Sequence, residues 1–209
     1  MPEDVRHPLF ARFFDRLSRT MEPEVGRHRD ELVAGLSGRV IELGPGNGIN
    51  FHRYPTTVEQ VVAVEPEPYL RAKAERAART APVPVELRPG VAEELDLPDS
   101  SFDAAVVSLV LCTVPDQSRA LRELRRVLKP GGELRFFEHV RSPGAGKARV
   151  QALADASRIW PCVGGGCHSA RDTLAAIAGA GFVIQHSRSF AVGPAWLITN
   201  PHVLGSAVR

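Results

Sequence analysis

Apolar residues recur along this chain with two periods. Between residues 9 and 19, Leu9, Phe10, Phe13, Phe14 and Leu17 fall on one side of a helix. A second helical stretch is predicted over 27–36, with Gly38 closing it. From residue 39 the pattern changes. Short runs rich in branched residues at 39–43, 58–65, 82–88, 102–111 and 132–140 read as strands, with helical spacing at 68–79 and 118–128. The run 102–111 is apolar for most of its length, as in a strand buried on both faces. Strands separated by helices with short connections predict a parallel, doubly wound α/β sheet. The last third is less regular. A Pro/Gly loop covers 142–147, a helix is expected over 148–159, and a Gly-rich segment over 160–168. A helix over 170–180 is closed by Gly181. Two strand-like stretches, 182–190 and 196–209, are interrupted by Gly193-Pro194 and Asn200-Pro201.

A chain of 209 residues predicts one domain. Hydrophobic residues make up 44% and charged residues 24%, as in a soluble globule rather than a disordered or fibrous chain. The net charge of +2 does not suggest a nucleic-acid partner. Three cysteines cannot close into a disulfide framework and fit a reducing compartment. The longest nearly apolar run, 104–114, is too short for a transmembrane helix, and residues 1–15 carry charges instead of a signal-like run. A cytoplasmic protein without a transmembrane segment is expected.

The most informative stretch is Val40-Ile41-Glu42-Leu43-Gly44-Pro45-Gly46-Asn47-Gly48. A strand runs into a loop with glycine at alternate positions, where the backbone can turn sharply and approach a ligand beyond the strand ends. Glu65 ends the next strand and can accept hydrogen bonds from both hydroxyls of a ribose. Glu42 would repel a pyrophosphate and attract an ammonium. The spacing is Gly-x-Gly-x-Gly, not the dinucleotide Gly-x-Gly-x-x-Gly. A nucleoside carrying an amino acid fits better, and S-adenosylmethionine is such a molecule.

With these residues the chain resembles the class I S-adenosylmethionine-dependent methyltransferases. The resemblance also includes Gly90-Val91-Ala92-Glu93-Glu94-Leu95, Asp99-Ser100-Ser101-Phe102-Asp103 and Leu128-Lys129-Pro130-Gly131-Gly132. It implies a Rossmann-like fold: a seven-stranded, mostly parallel sheet flanked by helices, with one antiparallel strand near an edge. Residues 1–37 would form a helical arm or lid, 38–140 the donor-binding core, and 141–209 the acceptor-side helices and final strands. It further implies that Glu42 and the backbone of Gly44, Pro45, Gly46 and Gly48 face the methionine portion. Glu65 would hold the ribose, and Pro66, Val91 and Ala92 would flank the adenine. Many relatives carry Asp where Val91 stands, so Glu93 or a backbone group would serve the adenine amino group here. Ser108 and Leu109 would lie near the donor methyl. Leu109–Val114, Phe137-Glu138-His139-Val140, Gly165-Gly166-Cys167-His168, Arg171-Asp172-Thr173 and the 201–207 segment are similar to the thiol S-methyltransferase-like branch. Membrane-associated animal members of that branch methylate small alkyl thiols, and no counterpart of their hydrophobic N-terminal anchor is expected here.

Methyl transfer from a sulfonium chiefly needs an aligned acceptor. A thiol needs only modest help to ionise, an alcohol a positioned base. His139 and His168 are the candidate bases. Trp160, Trp196 and the N-terminal phenylalanines are candidate walls of an apolar acceptor pocket. Cys162, Cys167 and His168, with Cys112 and His139, invite a metal reading, but small buried cysteines explain them more simply, and no metal is expected. His7, His28, His186 and His202 suggest no constellation. The expected activity is methylation of a small, apolar acceptor, with sulfur ahead of oxygen, nitrogen or carbon. The alternatives are a quinone- or phenol-type C- or O-methyltransferase, a donor-binding protein without catalysis, and a small nicotinamide-dependent oxidoreductase.

Overall fold

The computed structural model describes residues 8–209; residues 1–7, and with them His7, lie outside it. Helices α1 (Pro8–Thr20) and α2 (Glu22–Val33) precede β1 (Gly38–Leu43), β2 (Val58–Val64), α3 (Pro68–Ala78), β3 (Val85–Arg88) and β4 (Phe102–Ser108). Then follow α4 (Gln117–Val127), β5 (Leu128–His139), α5 (Ala145–Ala156), α6 (Ile159–Val163), α7 (Thr173–Gly179), β6 (Val183–Ala191) and β7 (Pro201–Val208). The strands form one sheet in the order β3-β2-β1-β4-β5-β7-β6. β1 to β5 are parallel, and β7 runs antiparallel to both β5 and β6. This is the seven-stranded, mostly parallel arrangement expected.

The central strands are apolar on both faces because both faces are covered. Ile41, Leu43, Val62, Val64, Ala105 and Val107 face one core, where Leu121 and Leu124 of α4 and Ile177 of α7 pack on them. Val40, Val61, Ala63, Ala104 and Val106 face the other, under Val25 and Leu32 of α2 and Ala74 of α3. The register sets Leu43 beside Val64 and Val107, and Val107 beside Phe136. The carboxyl ends of β1, β2, β4 and β5 therefore share one edge, where ligands bind in open α/β sheets. Leu124 has no exposed surface. Leu124→Ala should lower the unfolding free energy by about 3 kcal/mol, read from urea unfolding.

Several boundaries differ from the pattern-based ones for local reasons. Pro23 in its first turn starts α2 at Glu22, and Gly35 and Gly38, both at positive φ, end it before 36. Asp172 caps Ala175 N–H, so α7 begins at Thr173, not 170. Asp116 caps α4 in the same way. The Gly-rich segment contains the short helix α6, and α5 starts at Ala145 inside the expected loop. The last strand begins only at Pro201. Among the described residues, no helix is long and apolar enough to cross a membrane.

Candidate active site

The glycine turn leaves β1 with Gly44, Gly46 and Gly48 all at positive φ, a region that L side chains rarely adopt. Space forbids side chains as well: an added Cβ would meet Val110 at 2.7 Å from Gly44 and Phe51 at 2.9 Å from Gly48. At Gly46 it would meet the Phe14 ring of α1 at 3.0 Å. α1 thus lies over the turn, and Asn47 Nδ2 donates to Asp15 Oδ1 at 3.0 Å and to Ser18 Oγ at 3.0 Å.

Two buried carboxylates flank this turn. Glu65, at the tip of β2, accepts from Gly46 N–H at 2.9 Å and from Glu67 N–H at 3.0 Å. Each of its oxygens keeps a second lone pair. Glu42, in β1, accepts from Asn50 Nδ2 at 2.7 Å and from the Tyr54 hydroxyl at 2.9 Å. Below it, the buried Arg29 of α2 donates to Asn50 Oδ1 and to Ser108 Oγ. Burial pushes Glu42 up to about 7, against the bonds from Asn50 and Tyr54 and the charge of Arg29. Burial likewise pushes Glu65 up to about 7, against its two backbone bonds. The cradle suits a ligand with ribose hydroxyls and an ammonium, since both groups favour ionised carboxylates.

A pH dependence follows. Both acids bind protons more tightly in the folded chain than in the unfolded one. Their contribution to stability is present below about 4.5 and is lost as pH rises towards 7. A ligand that needs them ionised must displace those protons. Affinity for S-adenosylmethionine should therefore rise from pH 6 to pH 8. Calorimetry in buffers of different ionisation enthalpy should detect proton release at pH 6.5 and little at pH 8.5; uptake at pH 6.5 would contradict this.

The other predicted residues group around this edge. Pro66 follows Glu65, and Arg71 Nη1 holds the Glu65 carbonyl at 3.0 Å. Val91 and Ala92 lie in the loop after β3, and Glu65 N–H to the Arg88 carbonyl joins that strand's end to β2. Glu93 accepts instead from Asp116 N–H at 3.2 Å. Ser108 ends β4. Leu109 has φ of +60°, uncommon for a residue that is not glycine, and its N–H donates to the Phe137 carbonyl at 2.7 Å.

The far end of the cleft is built by β5 and two loops. Glu138 is fully buried and accepts from Val110 and Leu111 N–H at 2.9 Å and from Cys112 N–H at 3.2 Å. Burial pushes it up to about 7, against those bonds. His139 points elsewhere, as neighbours on a strand must. Its Nδ1 stands 3.6 Å from Cys112 Sγ and 3.5 Å from Cys167 Sγ. The Gly-rich loop brings Cys167 there. Gly165 and Gly166 have positive φ, a Cβ on Gly166 would meet the Thr113 carbonyl at 3.1 Å, and His168 N–H donates to the Cys112 carbonyl at 2.7 Å. Phe10 of α1 lies against Gly165, and its ring is 6.0 Å from that of Phe14. α1 thereby reaches from the glycine turn to this loop.

The structure therefore brings Glu42, the glycine turn, Glu65, Ser108, Leu109 and His139 to one edge, while His168 sends only its backbone. The His168 ring is half-exposed and turned towards Asp155, at 4.0 Å. Cys162 is exposed, so the cysteine–histidine grouping read from sequence is corrected to Cys112, His139 and Cys167. Trp196 is 79% exposed and walls no pocket. His28 and His202, which the sequence leaves to solvent or packing, pack against Phe137 and Phe190. Sequence reasoning missed Arg29, Asn50, Tyr54 and the anchoring role of Glu138. The adjacency of the β4 and β5 ends was the one signal that could have joined Cys112 to His139.

The profile of the methyltransferase domain family matches residues 41–136. Human thiol S-methyltransferase TMT1B is 32% identical over 97% of this chain and 88% of its own length. Phosphatidylethanolamine N-methyltransferase of Cereibacter sphaeroides is 33% identical over 71% of this chain and 72% of its own. Among solved structures, an S-adenosylmethionine-dependent methyltransferase of Mesorhizobium loti superposes with a TM-score of 0.66 at 20% identity, covering 88% of this chain and 97% of that one. At that identity the likeness speaks for the fold.

Proposed function

Because the chain belongs to the class I S-adenosylmethionine-dependent methyltransferases, in their thiol S-methyltransferase-like branch, we propose that it methylates the sulfur of a small, apolar thiol. The observation that carries this reading is the similarity to a thiol S-methyltransferase along nearly the whole chain. S-adenosylmethionine supplies a methyl group already activated by its sulfonium.

In this reading the chain's residues bind and align. Glu65 takes the ribose hydroxyls on its free lone pairs. Glu42 sets negative charge beneath the glycine turn, where the backbone of Gly44, Pro45, Gly46 and Gly48 faces the methionine portion. Pro66, Val91 and Ala92 flank the adenine, and Glu93 stands beside them. Ser108 and Leu109 border the methyl. Phe10 and Phe14 make the cover of the acceptor apolar, which selects against charged acceptors. His139 takes the thiol proton, and His168 belongs to the rim of the acceptor side. Holding sulfur and methyl in line then supplies most of the acceleration.

The test is transfer of labelled methyl to a panel of small alkyl and aryl thiols, run beside phenols, quinones and phosphatidylethanolamine. Labelled thioethers with one S-adenosylhomocysteine per methyl are expected. Product confined to phenols, quinones or the lipid amine would overturn the thiol reading, and donor binding without product on any acceptor would overturn catalysis.

A further inference from the structure

We propose that Cys112, His139 and Cys167 form a binding site for one soft divalent cation of the zinc class, with a fourth coordination position left for an exogenous thiolate. The cation site stands on geometry alone; the thiolate at its open position rests on the thiol reading above.

One ligand atom from each residue lies within 4.8 Å of the other two. The sulfur-to-nitrogen distances are 3.6 and 3.5 Å. A tetrahedral zinc with bonds of about 2.3 Å to sulfur and about 2.0 Å to nitrogen has a sulfur-to-nitrogen edge of about 3.5 Å. Two edges of one coordination face are thus already in place, and the third, sulfur to sulfur, is no longer than 4.8 Å. Two thiolates and an imidazole select soft cations over magnesium or calcium. Three protein ligands with a free fourth position are the pattern of a reactive site, not a structural one.

The surroundings fit the same reading. Glu138 accepts the N–H of Cys112, and the partly buried Arg171 donates to the Leu111 carbonyl beside it. Before an exogenous thiolate binds, two thiolates and the Glu138 carboxylate would balance a dication and the Arg171 guanidinium. His202 Nε2 is buried without a hydrogen-bond partner. His202 is the β7 partner of His139, and its ring packs against that of His139 with centroids 4.6 Å apart. Its Nδ1 lies 2.9 Å from the Asn200 carbonyl and so carries the proton, leaving Nε2 as an acceptor.

At this site the acceptor thiol would give its proton to solvent on coordination, a route that replaces proton transfer to His139, whose Nδ1 is then a ligand. Its sulfur would then form the bond to the methyl group as the carbon–sulfonium bond breaks, with that electron pair staying on the donor sulfur. The neutral thioether product is a weaker ligand and leaves.

The test uses full-length, phosphine-reduced protein and cobalt(II) as a spectroscopic stand-in for zinc. One cobalt per chain is expected, with intense tetrahedral d–d bands and sulfur-to-cobalt charge transfer. Cys162→Ser should keep this spectrum. Cys112→Ser and Cys167→Ser should lose it while still binding S-adenosylmethionine, which shows that they fold. Reduced wild type that binds the donor but no stoichiometric cobalt or zinc would overturn the site. An added alkanethiol should shift the d–d bands, and an unchanged spectrum would overturn the open position. A shifted spectrum without labelled thioether would sink the methyl-transfer reading and leave the cation site standing.

Discussion

Glu65→Ala is expected to raise the Kd for S-adenosylmethionine about a hundredfold. A hydrogen bond to a charged group contributes about 1.5–3 kcal/mol, and two ribose hydroxyls on one carboxylate give about 3 kcal/mol. Each 1.4 kcal/mol is tenfold in Kd. The same carboxylate also holds Gly46 N–H and Glu67 N–H, so alanine frees the glycine turn as well. Glu65→Gln separates the two effects. Its amide oxygen can keep one backbone bond and accept from one hydroxyl, so it should fall between wild type and alanine. Calorimetry at pH 8 reads both. An unchanged Kd in Glu65→Ala would remove the ribose from this strand tip.

Glu138→Ala should cost about 4 kcal/mol of stability and most of the turnover. Three backbone N–H groups, of Val110, Leu111 and Cys112, converge on this carboxylate. Each left unsatisfied costs about 1–3 kcal/mol. They also fix the loop that follows Leu109 and carries Cys112, so the variant should lose kcat more than donor affinity. Glu138→Gln is the informative companion. Its oxygen can serve Val110 and Leu111, but its NH2 would face the Cys112 N–H, donor against donor. Stability should recover in part, and turnover less. Urea unfolding and steady-state kinetics test this; a Glu138→Ala enzyme of ordinary stability and kcat would show the loop held by other contacts.

The glycine turn and the carboxylate at the next strand's tip were legible in the sequence because their signals are local. Gly44, Gly46 and Gly48 follow a strand directly, and Glu65 ends the next strand in chain order. β1 and β2 are also neighbours in the sheet, so chain order and space agree there. The far end of the cleft was less legible, because its partners are distant in sequence: the cysteines and histidines were grouped, but not as this trio. Cys112, His139 and Cys167 meet only because β4 lies beside β5 and a glycine loop folds back across both. The seventh strand and the reversal of one strand near the edge came from family resemblance, since alternation along a strand carries no direction; the structure shows that strand to be β7, between β5 and β6. Arg29, Asn50 and Tyr54 sit in segments that read as ordinary helix and loop. Asn50 and Tyr54 reach Glu42 from the loop after the glycine turn, and Arg29 reaches Asn50 from α2, which packs under the sheet.

The account depends most on where the nucleoside sits. A crystal structure with S-adenosylhomocysteine tests this directly. Both ribose hydroxyls should lie within hydrogen-bond distance of the Glu65 carboxylate, with the amino acid portion over Gly44 to Gly48 and the sulfur facing the side of the cleft that holds His139. A nucleoside bound away from Glu65, or a sulfur turned from His139, would contradict it.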